Sequence, residues 1–408
     1  MTDTYIYDAV RTPRGKGQAA SDDKPGGALS AIAPHTLVSQ LIDALAGRNG
    51  AGAVNGVERL LLGCVGQVRS QGGHIALVSR LASRLPDTVV AKTLNNYCVS
   101  GLTAVGESAL WTRAGQPGLS LAGGVESLSQ VPFMADKAAY YLNDELRREL
   151  RWALPVMGAE LIASLEGYDK SELDELSLTS HQRASAAWES GHYDSSVIPV
   201  QHDDGSVALA HDEWVRSDLT TEKLSKLPPA FAEIGAMEAD AMMLQAYPQL
   251  NTINHLHSVA NCPGLSDGAA LVLTGSKAAG DENGLKPRAR ILAYAECAGD
   301  PVIQFSAGFD AMERVLEQSG LSLADLDLIE FMESFAATPL KFLRNYDVDP
   351  DKVNVNGGLI AIGHALGATG ASLVTTLFHE LERRNAQLGM VVCLAAGGIG
   401  SAMIIERT

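Results

Sequence analysis

Three side chains in this sequence have the types and settings for covalent chemistry. Cys98 lies in "LNNYCVSGLTAV" (94–105), where a polar Asn-Asn-Tyr run meets small residues patterned like the start of a helix. A packing cysteine belongs inside an apolar run. At a helix start, free amide N–H groups and the positive end of the helix dipole favour a thiolate, which suits a nucleophile. His364 opens "GHALGATGASLVTTL", and Cys393 lies in "VVCLAAGGIGS". The two regions echo each other: a reactive side chain, a Gly-containing helix start, a helix, then a strand ending in Ala-Gly-Gly or Ala-Ala-Gly-Gly. Chance recurrence of Gly-rich helix starts is the competing reading. A duplication places Cys98 and His364 at matching helix starts about a pseudo-twofold axis, with Cys393 pointing at the same centre.

Cys, His and Cys around one point serve a metal, a redox pair or carbon–carbon chemistry. The metal reading lacks local ligand spacing, and the redox reading lacks a Cys-x-x-Cys. Acyl transfer remains. His364 takes the Cys98 proton, while Cys393 moves a proton at the carbon next to a thioester. Small residues in "AAGGIG" let backbone N–H groups approach a developing oxyanion.

The elements that must position these groups alternate between strand and helix, the pattern of an α/β sheet with crossovers. "YIYDAVR", "RLLLGCVGQ" (59–67), "LSLAGGVES" (119–127), "ALVLTGS" (270–276), "LDLIEFMES" (326–334) and "GMVVCLAAGG" (389–398) read as strands; "PHTLVSQLIDALAGR" and "FDAMERVLEQSG" read as helices. Residues 125–251 are more polar and helical and read as an inserted lobe. At 408 residues and 46% hydrophobic content, the chain is long enough for more than one core. A formal net charge of −17 argues against bulk attraction to nucleic acid or an anionic membrane. There is no apolar run long enough for a membrane span and no basic-apolar leader, and the five scattered cysteines fit a reducing compartment. A cytoplasmic location is therefore expected.

The chain resembles the thiolases, acetyl-CoA acetyltransferases and 3-ketoacyl-CoA thiolases. The resemblance rests on "YDAVRTPRGK", the Cys98 loop, "LAGGVESLSQVP", "DEWVR", "KLPPAF", "SDGAALVL", "NVNGGLIAIGHALGATGA" and "CLAAGGIGSAMIIE". It implies an α/β thiolase-like fold: duplicated half-domains in an αβαβα five-layer sandwich, with residues 1–124 plus 252–276 as the first half, 277–408 as the second, and 125–251 as a loop domain binding coenzyme A. It also implies that Cys98 is the acylated nucleophile, His364 its base, Cys393 the α-carbon acid/base, and the Cys98 and Ala395 amides one oxyanion hole. Coenzyme A is then a substrate, with no permanent cofactor or metal, and the assembly is a homodimer or homotetramer.

The sequence departs from the family in "MESFAAT". Met332 stands where a water-holding Asn or His is expected, beside a retained Glu333 and Phe335. A thioether holds water poorly, and losing one oxyanion donor typically costs about 3 kcal/mol. Ala365 replaces the proline after the histidine, and Pro263 a serine near the pantetheine arm. Arg216, Phe231, Met157 and Phe335 are the expected coenzyme A contacts. His257 reads as structural, and the Met-rich 234–250 stretch as a wall for a larger acyl chain or a subunit contact. "CLAAGG" resembles the thiolase subunits that partner a hydratase/dehydrogenase in fatty-acid β-oxidation. Two functions follow: an active thiolase favouring degradation of 3-oxoacyl-CoA, or a thiolase-fold coenzyme A-binding or assembly subunit with little turnover.

Overall fold

The computed structural model describes residues 2–408. Nine strands carry the architecture: β1 (Thr4–Arg11), β2 (Val57–Gly63), β3 (Val90–Leu94), β4 (Leu119–Glu126), β5 (Ser266–Gly275), β6 (Ala289–Ala298), β7 (Leu328–Phe331), β8 (Leu388–Ala395) and β9 (Ile399–Arg407). They follow the order β7-β8-β9-β6-β1-β5-β4-β2-β3, and a short strand at Gly15–Lys16 pairs with β5. In one half β2 runs parallel to β4, which is antiparallel to β5, itself antiparallel to β1. The other half repeats this as β7, β8, β9 and β6. The halves meet where β1 and β6 pair antiparallel, from Thr4↔Ile291 to Ile6↔Ala289. A single parallel bridge, Ile329↔Val353, stands where β3 has its counterpart.

Every residue of β4 and β5 is buried. Strands covered on both faces read as continuous small and apolar runs, which is why "LSLAGG" and "GAALVL" show no alternation. The outer cover of the first half is α1 (Pro34–Asn49), which buries Leu37, Val38, Leu41, Ile42 and Leu45 along one stripe. The inner cover is shared. Helices α2 (Ser100–Arg113) and α6 (Thr369–Arg383) each pack against strands of both halves, and α5 (Ala307–Ser319) closes the far side over β6 and β9. Helix, sheet, helix pair, sheet and helix make five layers. In α6 every residue from Thr369 to Leu381 is buried, as a helix between two sheets must be.

The two central helices touch backbone to backbone. A Cβ at Gly370 would lie 2.4 Å from the Leu102 amide nitrogen, and one at Gly101 would lie 2.8 Å from the Gly367 carbonyl oxygen. Gly101 and Gly370 each stand one residue inside their helices, so the sequence echo is a structural one. Its register differs from the expected one, because Cys98 precedes α2 by two residues whereas His364 precedes α6 by five. A second shift concerns "GMVVCLAAGG", expected as one strand to Gly398. It ends at Ala395 because Gly397 and Gly398, at φ 74° and 76°, turn the chain back into β9. Strands β6 and β9 were not anticipated by the sequence reading.

Between β4 and β5 the chain leaves the sheets and forms a helical lobe that includes α3 (Pro155–Glu166) and α4 (Lys170–Glu189), the latter opened by an Asp169/Glu172 capping box. Fully buried Arg11 anchors this lobe to β1, its Nη1 and Nη2 each donating at 2.8 Å to Asp212, which also accepts the Arg14 amide. Thus "VRTPR" and "DEWVR", far apart in sequence, form one clamp. No helix among the described residues is long and apolar enough to cross a membrane.

Candidate active site

A cavity of about 400 Å3 collects Cys98, His364, Ser334, Ala396 and Gly397 from the two halves, and Phe231 and Trp152 from the lobe. Cys98 reaches it from the turn before α2. Tyr97, at φ 48°, is held in the left-handed region by a hydrogen bond from its amide to Asn95 Oδ1 (3.0 Å), a strained turn of the kind found at functional sites. The Cys98 sulfur is met by its own amide and that of Ala396. Ala396 takes the place expected for Ala395, which is buried in β8 and paired with Ile399. The turn made by Gly397 and Gly398 exposes the Ala396 amide.

The thiolate expected from the helix-start argument is not the resting form. Burial, with the Glu126 carboxylate adding to it, pushes the Cys98 thiol up to about 12 and outweighs the two amides. His364 is buried and shifted the opposite way, to about 3, first by desolvation and then by the nearby Arg14 cation. The pair rests as thiol and neutral imidazole. His364 Nδ1 is 2.8 Å from Thr369 Oγ1, which leaves Nε2 for chemistry. Gly363 before it has φ 96°, and a Cβ there would lie 2.2 Å from Ser266 Oγ, so glycine is required for the histidine to be presented. Cys393 is fully buried behind Cys98 and does not line the cavity; burial and the neighbouring Cys98 raise its thiol.

Histidines held neutral give stability a definite pH dependence. His364 titrates near 3 and buried His181 near 4 in the fold, both by desolvation, against about 6.5 in an unfolded chain. At these two positions the unfolded chain binds more protons below pH 6.5, a contribution that lowers stability as pH drops from there toward 4 and is opposed by buried Asp267, whose carboxyl desolvation pushes up to about 6. Each histidine contributes a slope of about 1.4 kcal/mol per pH unit. Imidazole proton shifts followed by NMR in the folded protein from pH 7 to 5 check this: both rings are expected not to move, and one that titrates near 6.5 would show that it is not held neutral.

Glu126, at the end of β4, escaped the sequence reading although "AGGVES" contains it. Its Oε2 accepts the amides of Val65 (2.9 Å) and Gly367 (3.0 Å), and its Oε1 accepts the Gly66 amide (3.0 Å) and Gln71 Nε2 (2.6 Å). One buried carboxylate thus ties the loop after β2 to the turn between His364 and α6. The only sequence signal was an acidic residue closing an apolar strand.

The "MESFAAT" loop is arranged differently from the expectation. Met332 is buried in the core, its amide bonded to Val392 O at 2.9 Å, and does not line the cavity. Glu333 also faces away: it accepts Ser180 Oγ (2.8 Å), the Ile360 amide (2.9 Å) and Asn354 Nδ2 (3.2 Å), fixing the segment before His364. Ser334 and Phe335 are the residues of this loop that reach the cavity. A strand running into a turn alternates its faces, so a single-residue register decides which side chain is presented.

Phe231, Phe335 and Pro263 line the cavity. Met157 is fully buried and faces instead a second, open cleft with Ile234, Met237 and Met242, so part of the Met-rich stretch lines a wall, and only Ile234 of these touches both spaces. Arg216 lies on the surface away from both, its amide bonded to His181 Nδ1 at 3.2 Å. His257 is buried with Nδ1 2.9 Å from Glu160 Oε2, a structural pair within the lobe. All five cysteines are free.

Comparison with known proteins gives a consistent result. Residues 4–243 match the family model described as thiolase, N-terminal domain, and residues 285–407 that described as thiolase, C-terminal domain. The chain is 34% identical to a 3-ketoacyl-CoA thiolase of Klebsiella pneumoniae, all of both chains being covered. It is also 34% identical to a steroid 3-ketoacyl-CoA thiolase of Mycobacterium tuberculosis, over all of this chain and 95% of that one. Among solved structures, the Bacillus anthracis acetyl-CoA acetyltransferase superposes with a TM-score of 0.83 at 31% identity, covering 100% of this chain and 99% of that one.

Proposed function

This chain belongs to the thiolase family and is an acyltransferase with thiolase activity on acyl-CoA, and from that premise we propose that it runs in the degradative direction, with Cys98 as nucleophile, His364 as its base and Cys393 as the acid/base at the α-carbon. The observation that carries the reading is one cavity lined by both Cys98 and His364, with the buried Cys393 thiol near enough to feel Cys98. An assembly subunit without turnover has no need of that convergence.

The Cys98 sulfur attacks the 3-oxo carbon as its proton passes to His364 Nε2. The bond between C2 and C3 breaks, its electron pair forming the enolate of acetyl-CoA, and Cys393 delivers a proton to C2. The thiol of a second coenzyme A then gives its proton to the Cys393 thiolate and displaces the acyl group, and Cys98 recovers its proton from His364. The Cys98 and Ala396 amides serve the oxyanion on C3. His364 serves the enolate oxygen together with the Ser334 hydroxyl, which donates to the Leu394 carbonyl at 3.3 Å in the resting site and turns to the enolate to take the part expected of residue 332. Phe231, Phe335 and Pro263 flank the pantetheine arm, and the lobe between β4 and β5 carries further coenzyme A contacts. The setting we propose is soluble and cytoplasmic 3-oxoacyl-CoA breakdown by a homo-oligomer, with a hydratase/dehydrogenase as the partner activity that supplies the substrate.

The test is coenzyme A-dependent thiolysis of acetoacetyl-CoA and longer 3-oxoacyl-CoA esters, followed by loss of the enolate absorbance. Turnover is expected, and Ser334→Ala is expected to slow it by about 10²-fold, the usual cost of one oxyanion donor, while transfer of an acetyl group from acetyl-CoA to Cys98, which forms no enolate, is spared. No thiolysis of any 3-oxoacyl-CoA would sink the reading.

A further inference from the structure

Aromatic residues make up 5% of the chain, yet eight of the thirty residues lining the catalytic cavity are aromatic. Five of them, Tyr97, Phe133, Tyr140, Tyr141 and Trp152, make an aromatic wall of the cavity that holds the nucleophile, and the rings of Tyr140, Tyr141 and Trp152 pack against one another. Tyr97 precedes Cys98 in the chain, and its ring edge faces Gly397, whose Cβ position is 3.8 Å away. Burial raises the Tyr97 phenol, and Tyr140, Asp136 and Cys98 add to the shift, so Tyr140 lies within its electrostatic reach. Tyr140 and Tyr141 follow, with ring centroids 6.4 Å apart and planes at 55°. Trp152 stands 6.3 Å from Tyr140, edge to face at 72°, and 5.7 Å from Tyr141 at 43°. Phe133 completes the wall.

We propose that this wall is a ring-binding subsite and that the preferred substrate is a 3-oxoacyl-CoA whose acyl group carries an aromatic or fused carbocyclic ring close to the 3-oxo carbon. The proposal rests on the thiolase reading above. Rings tilted against one another hold their own positions, so the walls stand ready before substrate arrives, and edge-to-face contact with a further ring adds attraction beyond area. A flexible linear chain meets the same surfaces but gives up its rotamer freedom to do so. Three of the five walls are tyrosines rather than phenylalanines, and the hydroxyls of Tyr97, Tyr140 and Tyr141 have no hydrogen-bond partner among the described residues. They are free to meet oxygen substituents on the ring, which a purely aliphatic pocket would exclude.

The experiment compares kcat/KM for thiolysis of 3-oxo-5-phenylpentanoyl-CoA and 3-oxooctanoyl-CoA, esters of similar reach, with acetoacetyl-CoA as the small reference. The phenyl ester is expected to exceed the linear one by about tenfold, the equivalent of one or two good ring contacts. Trp152→Leu and the half-buried Tyr140→Leu are each expected to lower the ratio of phenyl to linear kcat/KM by about threefold to tenfold. Two variants guard against one failing to fold. A linear ester turned over as well as the phenyl ester by the unmodified protein, or variants that lower both rates equally, would overturn the ring subsite while acetoacetyl-CoA cleavage still upheld the thiolase reading. Failure on all three esters removes both.

Discussion

Cys98→Ser is expected to abolish formation of the acyl-enzyme, whereas Cys393→Ser is expected to keep it and lose proton exchange at the α-carbon of acetyl-CoA. The difference follows from where the thiols sit. Cys98 lines the cavity between its own amide and that of Ala396 and within the same space as His364, so a thioester carbonyl can meet the sulfur and both donors at once. Cys393 lies behind it, fully buried, and feels Cys98 as its titratable neighbour, a place for shuttling a proton but not for carrying an acyl group. Intact mass after incubation with acetyl-CoA reads the first property, and deuterium incorporation into acetyl-CoA reads the second. Turnover in Cys393→Ser is expected to fall by about 10²- to 10⁴-fold, the usual contribution of general acid–base catalysis. An acyl adduct on Cys98→Ser, or exchange at the normal rate in Cys393→Ser, would reassign the two roles. Because the resting site holds a thiol and a neutral imidazole, slow alkylation of Cys98 by iodoacetamide at neutral pH is also expected, and the rate should rise with pH.

The second large effect is expected at Glu126. Glu126→Ala leaves the amides of Val65, Gly66 and Gly367 without their acceptor inside the fold, and leaves the Gln71 side chain only the Gly66 carbonyl and the Cys64 sulfur. An orphaned buried donor costs about 1–3 kcal/mol, and relaxation makes such costs less than additive, so a loss of about 3–6 kcal/mol is expected in denaturant unfolding. The same residue raises the Cys98 thiol through its charge. Glu126→Gln removes that charge and keeps the shape, so alkylation of Cys98 is expected to become faster at fixed pH even as stability falls. Unfolding within 1 kcal/mol of the unmodified protein in Glu126→Ala would show that the four contacts do not hold the halves together. Unchanged alkylation in Glu126→Gln would remove the electrostatic link.

What the sequence determined by itself was local in origin. Buried strands such as "LSLAGG" and "GAALVL" are legible because a strand covered on both faces needs small and apolar residues throughout, and α1 is legible because one face of a helix needs a repeating apolar stripe. Cys98 and His364, which the structure brings to one cavity, stood out through their residue types and Gly-rich settings, and Cys393 through the strand that carries it. Tertiary structure decided everything that depends on distance. Which residue of "MESFAAT" faces the cavity turns on a single-residue register, so Met332 went into the core and Ser334 into the site. Whether the thiol ionises turned on burial and on Glu126, 28 positions away in sequence. The presented amide moved from Ala395 to Ala396 because two glycines beyond the strand take positive φ. The aromatic wall gathers residues from Tyr97 to Trp152 that have no common spacing, and no periodicity in the chain could have shown that they face one nucleophile.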